Sequence, residues 1–86
     1  MASYHAVQEE LANMVQEVET SGWLIRVGDV FSNGDQVHHI RIKRIVAGEE
    51  DADDSMIYYE QFDPHTKEVL GETCGRAWYI NDFWYK

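Results

Sequence analysis

The sequence contains a single cysteine, no apolar run long enough to span a bilayer, and no lysine or arginine in either of its two most acidic stretches. Each lack removes a class of protein. Cys74 has no partner for an internal disulfide, which excludes a disulfide-stapled scaffold and points to a reducing compartment, the cytoplasm. A membrane-spanning helix needs about 20 consecutive apolar residues, and nothing here approaches that. The N-terminus has no basic stretch followed by an apolar one, so no secretory signal is expected. No C-x₂-C or H-x₃-H spacing occurs among Cys74, His5, His38, His39 and His65. Adjacent His38 and His39 would point to opposite faces of a strand, so the sequence predicts no metal site and no cofactor. No Ser-His-Asp or Cys-His arrangement follows from the spacing, and the chain is expected not to be an enzyme.

What remains is one small domain, residues 1–86. A chain of 86 residues buries roughly 60–65% of the surface it exposes when unfolded, which gives an adequate core but not a generous one. Three Trp, five Tyr and three Phe supply much of it, at about 150–250 Å² each.

The charge is the strongest signal. Sixteen acids oppose seven bases, for a net charge of −9. Residues 1–22 carry Glu9, Glu10, Glu17 and Glu19 and no base. Residues 47–62 carry Glu49, Glu50, Asp51, Asp53, Asp54 and Glu60 and no base. Residues 23–46 are slightly basic, through Arg26, Arg41, Lys43 and Arg44. Nucleic acid and anionic membrane would repel such a chain, so its natural charged partner is basic. The bases Arg41, Lys43 and Arg44 are expected to pair with the neighbouring acidic loop, each pair contributing about 0–1 kcal/mol at a surface.

Hydrophobic periodicity predicts a helix over 3–20. Tyr4, Val7, Leu11, Met14, Val15 and Val18 form one stripe at a 3.6-residue period. Ser3 can cap its start and Gly22 its end. Glu17 and Glu19 would then lie in the last turn, where the helix dipole disfavours them by about 0.3–1 kcal/mol each. Strands are expected at about 23–31, 36–46, 56–62, 67–73 and 76–85. Asn33-Gly34 marks a hairpin, Asp63-Pro64-His65-Thr66 a turn and Gly75 a tight reversal. A bulge is expected near Arg44-Ile45. Residues 47–55, reading AGEEDADDS, form an acidic loop whose charges repel one another and resist compaction. They fail the EF-hand pattern: counting from Asp51, positions 6 and 12 hold Met56 and Phe62 instead of Gly and Glu. The expected class is therefore α+β, an N-terminal amphipathic helix packed on a five-stranded antiparallel sheet, either open or curled into a small SH3-like barrel.

The segment Val27-Gly28-Asp29-Val30-Phe31, the strand pairs after it and the late Trp78…Phe83 resemble small SH3-like proteins encoded by phages and prophages, with their Gly-Asp-x-aromatic strand entry and aromatic Asp-Phe ending. In size, charge and lack of catalytic motifs the chain also resembles acidic DNA-mimic anti-defence proteins, anti-CRISPR proteins among them. That resemblance implies a phage or mobile-element inhibitor. It would place the carboxylates of Glu9, Glu10, Glu17, Glu49, Glu50, Asp51, Asp53 and Asp54 in a basic groove of a host nucleic-acid-binding complex. The alternative partner-binding set is aromatic: Tyr58, Tyr59, Trp78 and Tyr79, gripping a protein or peptide as an SH3-like adaptor does. The first reading leaves open whether the two acidic blocks meet.

Overall fold

The computed structural model of the chain describes residues 13–33 and 38–86. The molecule is mostly β. Its strands are β1 (Met14–Val15), β2 (Glu17–Glu19), β3 (Leu24–Arg26), β4 (Val30–Ser32), β5 (His39–Val46), β6 (Met56–Phe62) and β7 (Val69–Arg76), followed by one helix, α1 (Ala77–Phe83). A 3-10 turn, Ala52–Asp54, lies between β5 and β6.

All pairings are antiparallel. The main sheet has β5 at its centre with β6 and then β7 on one side. On the other side of β5, β4 pairs with its first half and β1 with its end. Between those two contacts the chain leaves the sheet as a separate hairpin, β2–β3, with Val18 opposite Ile25. It returns through Gly28, whose φ of 94° is the left-handed backbone that glycine adopts without strain. Gly28 N–H donates to the Ile42 carbonyl (2.8 Å) and Ile42 N–H donates to the Asp29 carbonyl (2.9 Å), so the excursion closes back onto β5.

The core lies on one face of the main sheet. Ile40, Ile42 and Ile45 of β5 and Ile57 and Tyr59 of β6 meet Ile25 of the hairpin, Phe31 of β4 and Ala77 and Ile80 of α1. Val15, Val18, Trp23 and Trp84 pack around them. The hairpin and the helix thus cover the same face. Trp23 stands edge-on to Phe31, with centroids 6.2 Å apart, and its indole N–H donates to the Trp84 carbonyl (3.2 Å).

The expected α+β class, with an N-terminal helix on a five-stranded sheet or a small SH3-like barrel, is overturned. Residues 3–12 lie outside the described residues, but 14–15 and 17–19 are strands. Glu17, Val18 and Glu19 alternate exposed, half-buried, exposed, the period of a strand. Val15 and Val18 are β-branched and find cross-strand partners in Ile45 and Ile25, and that pairing overrides a helical stripe that depended on the residues before it. Among the described residues the sheet is also open, since its strand order ends at β7 without closing.

The expected strand over 76–85 is instead the helix. Ala77 and Ile80 are buried and Trp84 packs behind them, a spacing of three and four that matches a helical turn. The long expected strand 23–31 is broken by the turn at Val27-Gly28, and Gly75 sits inside β7. The β5 irregularity falls between Ile42 and Arg44, one or two residues before its expected place. Replacing Phe31, which is fully buried, by Ala is expected to cost about 3–5 kcal/mol, measured as a drop in unfolding free energy in urea.

Candidate functional site

The acidic loop is a built structure. Ser55 is fully buried, and its hydroxyl accepts the Gly48 N–H (3.0 Å). Its carbonyl accepts the N–H of Ala77, the first residue of α1 (2.8 Å). Between Gly48 and Ser55 the Asp51 carboxylate accepts the Asp53 N–H (2.9 Å), capping the 3-10 turn. Asp54 and Ser55 N–H groups donate to the Asp51 and Ala52 carbonyls. The loop closes so tightly on Gly48 that a Cβ there would collide with the Asp51 carbonyl. The Arg76 guanidinium holds the far side through the Asp54 carbonyl (2.9 Å). These contacts offset the repulsion that was expected to keep the loop open.

Asp53 carries the contact that joins the two acidic blocks. Its carboxylate accepts the N–H of Ser21 (2.8 Å) and the Ser21 hydroxyl proton (2.6 Å). Ser21 lies in the turn that closes β2–β3, immediately after Glu17–Glu19. The hydroxyl, and then the backbone N–H, pull the Asp53 pKa below its usual value. The same turn is gripped from the other side by Asn81 of α1, whose amide oxygen accepts the Trp23 N–H (3.2 Å) and lies 3.1 Å from the Thr20 hydroxyl oxygen. Gly22 is required at this point because a Cβ would strike the Asn81 side chain.

The expected acidic set is thereby divided. Glu49, Glu50, Asp51 and Asp54 are exposed on the loop. Asp53 is committed to Ser21, and the Asp51 carboxylate also serves the turn. Glu17 is exposed but paired with Arg26 at 3.0 Å, and Glu19 is exposed. Glu9 and Glu10 lie outside the described residues. Two members of the basic cluster, Arg41 and Arg44, engage side chains of β6. Arg41 pairs with the largely buried Glu60 (3.0 Å) and lies over the Phe62 ring (4.7 Å). Arg44 lies 3.9 Å over the Tyr58 ring. Strand pairing decides this, since Arg41 is opposite Glu60 and Arg44 opposite Tyr58.

The expected aromatic set is also divided. Tyr58 is engaged by Arg44. Tyr59 is almost fully buried, its ring 6.4 Å from Trp84, and burial raises its pKa, with Tyr79 and Cys74 adding smaller effects. Tyr59, Trp78 and Tyr79 border one cleft together with Thr73, Cys74, Gly75 and Arg76. Trp78 and Tyr79 are exposed, and so are Phe83 and Tyr85, which the expected aromatic set did not include. Tyr79 stacks on Phe83 with centroids 4.7 Å apart and meets Trp78 edge-on at 6.2 Å. The helical spacing of Ala77, Ile80 and Trp84 was the signal that would have shown these rings on one outward face.

Among the described residues no three His, Cys, Asp or Glu side chains come together as metal ligands. No described helix is long and apolar enough to cross a membrane. Comparison of the chain with protein families, with curated proteins and with solved structures finds no match.

The Asp53–Ser21 contact is expected to be complete above the ordinary aspartate pKa of about 3.9 and to be lost as the pH falls through the lower value of the folded state. An NMR titration of the Asp53 carboxyl carbon checks this. Its midpoint should lie below that of free aspartate in the native chain and move toward it in Ser21→Ala. Gly48→Ala is expected to lower the melting temperature, because the added methyl forces the Asp51 carbonyl out of the turn.

Proposed function

We propose that the protein is a non-enzymatic acidic inhibitor that binds a basic surface of a nucleic-acid-binding complex and blocks nucleic acid from it. It would be a DNA mimic of the phage or mobile-element, anti-CRISPR-like kind, acting in the host cytoplasm. The observation that carries this reading is the Asp53–Ser21 contact. It fastens the acidic loop to the turn of the hairpin that bears Glu17 and Glu19. Negative charge held on a fixed frame imitates regularly spaced phosphates better than the same charge on a mobile loop, because less ordering entropy is lost on binding. The loop's Glu49, Glu50 and Asp54 are the groups free to meet Lys and Arg. Charge would mainly speed association.

A second reading rests on the exposed aromatics. Trp78 is 47% and Tyr79 38% exposed, and rings of this kind anchor protein interfaces. In that reading the chain is an adaptor or structural subunit that binds a protein or peptide through Trp78, Tyr79 and the neighbouring Tyr59.

The two readings separate on salt and on which residues matter. Immobilised protein is expected to capture nucleic-acid-binding proteins, to release them steeply as salt rises, and to yield them to added duplex DNA. Changing Glu49, Glu50 and Asp54 together to Lys, which leaves Asp51 and Asp53 in their structural roles, should abolish capture. Capture that persists in the triple variant and fails in Trp78→Ala would replace the first reading by the second.

A further inference from the structure

β7 is an edge strand of eight residues, Val69–Arg76. It pairs with β6 on one side, and among the described residues no strand pairs with the other. Almost all of it is exposed, including Leu70 at 55%. Free edges present unpaired backbone groups that template another strand, and natural proteins usually block them with charge, proline or a covering element. β7 has no proline. Its charges differ from those of the rest of the molecule: residues 67–76 hold Lys67 and Arg76 against Glu68 and Glu72, a net charge of zero in a chain of −9. A cationic strand laid here would meet Arg76, and an anionic one Glu72. A strand with the same charges reversed in direction would meet neither conflict.

We propose that β7 pairs antiparallel with β7 of a second copy about a two-fold axis at Cys74, Glu72 of each copy lying opposite Arg76 of the other. The register follows from the pleat. Residues opposed across such an axis share a face, which allows centres on residues but not between them. A centre at Glu72 would oppose two like charges, which destabilises a cross-strand pair. A centre at Thr73 would oppose Glu72 to Cys74 and Arg76 to Leu70, leaving both charges unmatched. A centre at Cys74 opposes Glu72 to Arg76 on both sides and Thr73 to Gly75. The two main sheets then run on as one. This contact does not involve the acidic loop residues Glu49 and Glu50, so it is independent of the inhibitor reading.

Sedimentation velocity over about 10 μM to 1 mM, the range in which weak specific pairs dissociate, tests it with the full chain. A reversible monomer–dimer equilibrium is expected. Glu72→Arg should weaken the dimer by about tenfold or more, since it turns two attractive pairs into repulsive ones. Arg76 also holds the Asp54 carbonyl, so Arg76→Glu alone can disturb the loop, and the decisive variant is the double swap Glu72→Arg with Arg76→Glu. With its fold verified by circular dichroism, the swap should restore the dimer. A short bis-maleimide should link the two Cys74 thiols in the native chain and far less in Glu72→Arg. A monomer at all concentrations, a correctly folded swap that stays monomeric, or an edge taken by a different chain overturns the proposal.

Discussion

The buried Ser55 holds three segments that would otherwise be independent. Its hydroxyl receives Gly48 at the start of the acidic loop, its carbonyl receives Ala77 at the start of α1, and the next residue opens β6. A buried hydroxyl or carbonyl left without a partner is costly, so these bonds are retained together or lost together. Because of them the loop ends beside the helix, and the helix brings Ala77 and Ile80 into the same core as Ile45 and Ile57. From there Asn81 reaches the hairpin turn from one side while Asp53 reaches it from the other. The position of β2–β3, and with it the position of Glu17 and Glu19, follows from where Ser55 fixes the loop.

The same framework sorts the charges. In the middle of the sheet, Arg41 and Arg44 are used by β6 side chains opposite them, through Glu60, Phe62 and Tyr58. The outward loop carboxylates of Glu49, Glu50 and Asp54 are exposed. At the other margin, β7 and its approach carry balanced charge, and among the described residues no strand pairs with the outer side of β7. The molecule therefore offers two surfaces of different chemistry: an acidic one built on a clasped loop, and a neutral edge flanked by exposed rings. Contacts made on one of these surfaces would use different side chains from contacts made on the other.

Parts of this arrangement were legible in the residues. MIYYEQF reads as a strand because its aromatic and β-branched residues fit a pleated, half-buried surface, and β6 has that span. Asp63-Pro64-His65-Thr66 reads as a turn, and the Asp63 carboxylate does accept the His65 and Thr66 N–H groups, which lowers its pKa. The helix reading failed at Met14–Glu19 because the three-residue spacing of Val15 and Val18 reads as helical, whereas the chain bends at Gln16 and places the two valines on separate strands, against Ile45 and Ile25. The strand reading failed at Ala77–Phe83 because Trp78, Tyr79 and Phe83 drew attention to β propensity, while the buried spacing of Ala77, Ile80 and Trp84 was helical. The acidic loop was located, but not its rigidity, since Ser55 and Gly48 are ordinary letters until their neighbours are known.

By itself the sequence determined the excess and placing of negative charge, the lack of an internal disulfide, and the turn at Asp63–Thr66, because these depend on residue identity and on neighbours a few positions away. Only the tertiary structure decided which segments became strands, that the acidic loop is clasped to the hairpin, that Arg41 and Arg44 engage β6, and that among the described residues β7 pairs on one side only. Each of those depends on contacts between residues far apart in the chain, such as Ser21 with Asp53 and Val18's hairpin with Asn81. Secondary-structure preference is worth a few tenths of a kcal/mol per residue and yields to such contacts wherever the two disagree.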